Sequence, residues 1–80
     1  MLERSVKEGQ IYRHFKGSLY KIICVAKDSE SLEDMVVYNH MEDGSIWVRS
    51  KDMFLSLVDH NKYPDAKQMY RFELCGEEDN

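Results

Sequence analysis

Apolar and polar residues alternate along several short stretches of the chain, a pattern typical of half-buried β-strands. The most regular stretch is LYKIICVA at 19–26, which is rich in β-branched and aromatic residues and short for a helix. The predicted strands cover residues 10–15, 19–26, 35–40, 45–49 and 69–75. In the second strand, the alternation predicts an inward-facing row of Tyr20, Ile22, Cys24 and Ala26.

The connections between these strands carry turn signals. Asp43-Gly44 predicts a hairpin that pairs 35–40 with 45–49, because glycine accepts positive φ without strain. Residues 27–34 are polar and predict a connecting loop, with a short helix capped by serine as the alternative.

One short helical turn is predicted within residues 50–58. Ser50 is suited to cap its first amides, and Asp52 suits the positive end of the helix dipole. A loop around Pro64 then leads to the last strand.

Short antiparallel strands in a chain of 80 residues must curl to cover their edges and a core. We therefore predict a mostly β fold, a small SH3-like five-stranded antiparallel barrel with one short helical turn. An OB-like barrel is the less favoured alternative because it needs longer strands. The predicted organisation is a flexible leader at 1–8, the barrel domain at 9–75 and an acidic tail at 76–80.

The composition of the chain indicates where in the cell the protein is expected. Apolar residues are 42% and charged residues 32%, and no apolar run approaches the ~18 residues of a membrane span. The N-terminus shows no signal-peptide core, and Cys24 and Cys75 show no metal-binding spacing. We expect a cytoplasmic protein with reduced cysteines, although a disulfide would form if the strands brought the two together.

The charge is unevenly distributed, although the net charge is -4. Residues 1–27 hold six Lys/Arg and two acids, which is +4, whereas residues 28–80 hold five Lys/Arg and thirteen acids, which is -8. This asymmetry favours either a charged partner oriented by the basic part or internal pairing between the two parts. The net acidity disfavours indiscriminate nucleic-acid binding.

Several separated blocks resemble a known bacterial family, the domain of unknown function family 1653. The blocks are YRHFKG (12–17), LYKIICVAKDSESLEDMVVY (19–38), WVR (47–49), MF (53–54) and RF (71–72). The resemblance covers about residues 9–74 and implies an SH3-like barrel and a bacterial source, but no activity. This chain has Lys27-Asp28 where the family tends to have Arg-His, and Ser50 where it has proline.

Aromatic and cationic residues suggest a ligand-binding surface. The candidates are Tyr12, Arg13, His14, Tyr38, Trp47 and Arg49. Arg13 could hold a carboxylate or phosphate, and Arg49 could lie along the indole of Trp47 because the two share a strand face. The alternatives are an ordinary polar first strand and a Trp47 that plugs the core.

Three function classes remain. The favoured one is a non-catalytic recognition module for a peptide, a nucleic-acid end or a small anionic ligand; nucleic acid is open but not favoured. The others are a small enzyme using His14 with Glu30 as an acid–base pair, and a structural subunit of a larger assembly. The spacing of His14, His40 and His60 matches no compact metal motif, so we expect no metal, no cofactor and no membrane partner.

Overall fold

The structure is a computed structural model, which describes residues 5–77 of the chain. Its elements in chain order are β1 (Gln10–His14), β2 (Leu19–Lys27), β3 (Asp34–His40), β4 (Ile46–Ser50), α1 (Lys51–Phe54) and β5 (Phe72–Glu77).

The five strands form one sheet in the order β4-β3-β2-β1-β5, and every neighbouring pair is antiparallel. The predicted mostly β fold, with five antiparallel strands and one short helix, is therefore confirmed. No ladder joins β4 to β5 within residues 5–77, so the sheet is open and the closed barrel is not observed. Helix α1 follows β4 directly, and its Phe54 stacks on Phe72 of β5, so a side-chain contact takes the place of a closing ladder.

The sheet is nevertheless strongly curved. In a flat sheet β4 and β5 would lie roughly 19 Å apart, because neighbouring strands are spaced by about 4.8 Å. The guanidinium carbon of Arg49 on β4 instead lies 5.9 Å from the ring centroid of Phe72 on β5. The two edge strands thus approach each other across a concave face, defined here as the side of the sheet that carries Tyr12, Ile22 and Tyr38.

The hydrophobic core fills this concave face. Its buried members are Val6, Tyr12, Ile22, Val36, Tyr38, Phe54 and Phe72. Phe54 and Phe72 stack at 4.1 Å between ring centroids with an interplanar angle of 11°. Val6 belongs to the segment predicted as a leader, and β5 extends to Glu77 within the predicted tail; residues 1–4 and 78–80 of those segments lie outside the described residues.

The inward-facing row predicted for β2 is correct only in its first half. Ile22 is buried and pairs with Tyr38, but the register shifts between Ile22 and Cys24, and Cys24 then pairs with Val37. An extra residue in one strand reverses the alternation beyond it. Cys24 therefore lies on the convex face and Ala26 is exposed, which corrects the prediction for both; Cys24 and Cys75 are free thiols.

The predicted hairpin and helix cap are both confirmed. Gly44 adopts φ 75° in the turn between β3 and β4, a left-handed conformation that favours glycine. The Ser50 hydroxyl accepts a hydrogen bond from the Met53 amide and begins α1. The helix ends at Phe54, earlier than the predicted segment, and the chain continues through an isolated bridge between Leu57 and Tyr70.

Candidate functional site

The register of the sheet divides the six predicted site residues between its two faces. Tyr38 pairs with Trp47, and Arg49 pairs with the buried Val36, so these residues share the concave face. Tyr12 and His14 alternate onto the same face from β1 and contact core rings. Five of the six residues therefore lie on one face, and one does not.

Arg13 is the residue that the structure separates from the others. It lies between Tyr12 and His14 on β1, so its side chain is exposed on the convex face. There it lines a shallow groove with Gln68, Glu73, Leu74 and Cys75. It does not contribute to a surface shared with Trp47.

Tyr12 is on the concave face but belongs to the core. It is 2% exposed, and its ring meets the edge of Phe54 at 5.1 Å. Its hydroxyl lies 3.2 Å from the side-chain oxygen of the buried Gln10, which also accepts a hydrogen bond from the Lys7 amide. Tyr12 therefore packs in the core beneath the exposed residues of the concave face and is not itself available to a ligand.

Trp47 lies on the surface, with 55% of its area exposed. Its indole N–H donates to the Ser45 hydroxyl at 2.8 Å, and this hydroxyl donates to Asp43 at 2.6 Å. The exposure excludes Trp47 as a core plug, a role that Phe54 and Phe72 fill. The ring is held beside the hairpin by a polar contact, which leaves much of its area open to solvent.

Asp43 organises the hairpin that carries Trp47. Hydrogen bonds from the Ser45 side chain and amide, together with His40, lower the pKa of Asp43 to about 2. Its carboxylate lies 2.9 Å from Nδ1 of His40. At neutral pH the carboxylate is therefore ionised and fixes the serine that holds the indole.

The strand pattern suggested that Arg49 would lie along the indole of Trp47, but its guanidinium lies over the core ring of Phe72 instead. Its Nε donates to the Tyr38 hydroxyl at 3.4 Å, and its guanidinium lies 5.9 Å from the ring centroid of Phe72. The residue is half-buried, and its guanidinium is held between the Phe72 ring and the Tyr38 hydroxyl. Its strand places it two residues from Trp47 on the same face, about 7 Å away.

His14 on β1 pairs directly with Phe72 on β5, and their ring centroids lie 4.9 Å apart on the concave face. Its Nδ1 accepts a hydrogen bond from the Lys16 amide at 3.2 Å, so the neutral ring carries its proton on Nε2. Burial lowers the pKa of His14 to about 4, with further lowering by the positive charges of Arg49, Lys16 and Arg71. His14 is therefore neutral at pH 7, with its N–H donor at Nε2.

Tyr20 belongs to the concave-face surface but was not among the predicted site residues. Tyr20 lies at its centre, with ring centroids 5.2 Å from Tyr38, 4.9 Å from His40 and 5.6 Å from Phe72. Burial raises the pKa of the Tyr20 hydroxyl. The alternation of β2 placed Tyr20 on the inner face, so combining this with the pairing of β2 and β3 would have identified it.

A second aromatic cluster, which the sequence analysis also missed, adjoins His14. The rings of Phe15 and Tyr63 lie 5.0 Å apart, and Lys16 Nζ lies 5.2 Å from the Tyr63 ring centroid. With Lys62 they border a pocket of about 330 Å³. The long loop that brings Tyr63 here gives no periodic signal in sequence.

The structure does not bring His14 and Glu30 together. His14 lies beside the turn that begins β2, because its amide donates to the carbonyl oxygen of Ser18. Glu30 lies in the loop that follows the other end of β2, nine residues of strand away at roughly 3.3 Å each. An acid–base pair needs contact through a hydrogen bond or one water, and this arrangement offers none.

The structure shows no membrane-crossing element of the helical type, since no helix within residues 5–77 has the length and apolarity to span a bilayer. In that same part of the chain, no group of three or more His, Cys, Asp or Glu side chains is arranged to hold a metal ion.

Comparison with known proteins gives one result. No curated protein matches the chain, and no solved structure matches it. The sequence model of one family matches residues 10–74, which span β1 to the middle of β5 and include every candidate site residue. The chain therefore belongs to the family described as "Protein of unknown function (DUF1653)".

Proposed function

We propose that this protein is a non-catalytic recognition module whose ligand lies on the concave-face surface of His14, Trp47 and Arg49. The ligand classes are a peptide, a nucleic-acid end or a small anionic molecule. The observation that carries the proposal is the exposed indole of Trp47, held by Ser45 two residues from a guanidinium. Exposed aromatic and arginine side chains are the groups that contribute most at binding surfaces.

The architecture supports this proposal. We propose that the curved sheet is an SH3-like barrel left open between β4 and β5. The contact of Arg49 with Phe72 across the two edge strands, and the helical turn that separates them in sequence, support this description. Folds of this kind use aromatic surfaces to bind extended peptides. The bacterial source and cytoplasmic location expected from the sequence are part of the same proposal.

The sole tryptophan of the chain gives a direct test. An acidic peptide, a 5′-phosphorylated oligonucleotide and phenyl phosphate are titrated while Trp47 fluorescence is followed. We expect Arg49→Gln to weaken the binding of a responding ligand about tenfold or more, since a charge-assisted hydrogen bond contributes about 1.5–3 kcal/mol. Arg13→Gln removes the same group from the convex face and is expected to change affinity less than about twofold.

Two results would contradict the proposal: no response of Trp47 to any ligand class, or equal losses in the two arginine variants. The alternative function is that of a subunit in an assembly, in which a second copy of the chain would bind to β4. This edge strand exposes Ile46, Trp47 and Val48 in succession, and such strands pair readily with another chain. Sedimentation over a range of concentrations separates self-association from ligand binding.

A further inference from the structure

Three cationic residues, Arg49, Lys16 and Arg71, lie near enough to His14 for their charges to act on its ring. Arg49 contacts the Phe72 ring, which in turn contacts His14. Lys16 donates its amide to the His14 ring, and its Nζ lies 5.9 Å from the ring centroid of Phe15. Arg71 precedes Phe72, and its carbonyl oxygen accepts a hydrogen bond from the Phe15 amide at 2.9 Å.

Among the side chains described for residues 5–76, no carboxylate lies within ion-pair distance of Arg49, Lys16 or Arg71, and the acid beside Lys16 is Asp65, which borders the same pocket. The Nε atom of Arg71 is buried and has no hydrogen-bond partner in that part of the chain. A buried donor without a partner is costly, and an arginine offers donors in a fork that matches an oxyanion.

We propose that Arg49, Lys16 and Arg71, together with the Nε2–H of His14, form a seat for the phosphate group of a compact phosphate monoester. The inference deepens the proposed function and rests on it, because Arg49 belongs to both. A dianion receives charge-assisted hydrogen bonds from the cations and a neutral one from His14.

The low pKa of His14, caused first by burial and then by the nearby cations, agrees with this arrangement, since the cations disfavour a further positive charge on its ring. A neutral histidine donates from Nε2 without adding to the repulsion among the cations. A bound phosphate would offset that repulsion and raise the pKa of His14.

The charge of the remaining chain favours a compact anion over a polymer. The net charge is -4, so the part of an extended polyanion that reached beyond the bound phosphate would be repelled by a predominantly acidic protein. A small phosphate monoester avoids this repulsion. If the organic group that carries the phosphate is planar, it can stack on the exposed Trp47 ring, which lies on the same face of the sheet.

The test follows the His14 ring signals by NMR during titration with inorganic phosphate, phenyl phosphate, phenol and a thymidine oligonucleotide without terminal phosphate. Ionic strength is held constant with sodium chloride. We expect inorganic phosphate to shift the His14 signals and raise its pKa. Phenyl phosphate is expected to bind about tenfold more tightly, because ring stacking of about 1.4 kcal/mol corresponds to that change.

Three variants locate the seat. Arg49→Gln is expected to weaken phosphate binding about tenfold or more. Lys16 is exposed, so Lys16→Gln is expected to fold normally and to weaken binding about threefold or more. Lys27→Gln removes the same charge at the far end of β2 and is expected to leave binding unchanged.

Each failure has its own signature. The seat is overturned if inorganic phosphate leaves His14 unshifted, if Lys27→Gln weakens binding as much as Arg49→Gln, or if the oligonucleotide binds more tightly than phenyl phosphate. If phosphate binds but the phenyl group adds nothing and Trp47 fluorescence does not respond, the seat stands and the recognition surface around Trp47 fails. A response of Trp47 to phenol without phosphate binding gives the opposite result.

Discussion

Phe72→Ala is expected to destabilise the protein by about 3–5 kcal/mol, the usual cost of removing a buried phenylalanine ring. Phe72 is 1% exposed and stacks on Phe54, and its ring also contacts Tyr38 and Arg49. It joins β5, α1 and β4, so its loss leaves a cavity where the two edge strands approach. Because a small domain has only about 5–15 kcal/mol of stability, much of the variant is expected to be unfolded at 37 °C.

Urea unfolding followed by circular dichroism measures this effect. The matched control is Leu74→Ala, which removes a large apolar side chain from the same strand at a position 53% exposed. It is expected to cost less than about 1 kcal/mol. Similar losses in both variants would show that Phe72 does not occupy the centre of the core.

Lowering the pH from 6.5 to about 4 is expected to destabilise the protein through His14. The unfolded chain takes up a proton at the ordinary pKa of 6.5, whereas the folded chain resists protonation until about 4. The unfolded state therefore binds more protons in this interval, and the free energy of unfolding falls as the pH falls. With allowance for the partial exposure of the ring, we expect a loss of about 1–2 kcal/mol.

Urea unfolding at several pH values between 7.5 and 4 measures this loss. His14→Gln is expected to flatten the pH dependence, whereas His60→Gln, at an exposed histidine, is expected to leave it unchanged. Asp43 acts in a lower interval, because its depressed pKa adds stability that is lost only as the pH falls below 3.8 toward about 2. A pH dependence that persists unchanged in His14→Gln would contradict the assignment.

The strands of this fold could be predicted from the sequence because alternation reports directly on a half-buried sheet. The hairpin at Gly44 and the cap at Ser50 were predictable for the same kind of local reason. The bulge after Ile22 could not be predicted, because an alternation with an unbroken period of two does not reveal where one extra residue is inserted. The faces of Cys24 and Ala26 were therefore wrong.

The candidate site depended on tertiary facts that no local pattern contains. The exposure of Trp47 follows from the position of β4 at the sheet edge, which the strand order decides. The contact of Arg49 with Phe72 follows from the curvature of the whole sheet. Arg13 could have been separated from His14 by alternation alone, since adjacent strand residues face opposite sides.

The approach of the two edge strands is the feature on which the surface, the seat and the core all depend. The most direct measurement is a nuclear Overhauser experiment on the uniformly labelled protein, which detects protons closer than about 5 Å. Because the guanidinium of Arg49 lies over Phe72, we predict cross-peaks between the Arg49 side chain and the Phe72 ring, and between the rings of His14 and Phe72. Cross-peaks from His14 to Phe72 without any from Arg49 would show that β4 stays apart from β5, and would contradict the account.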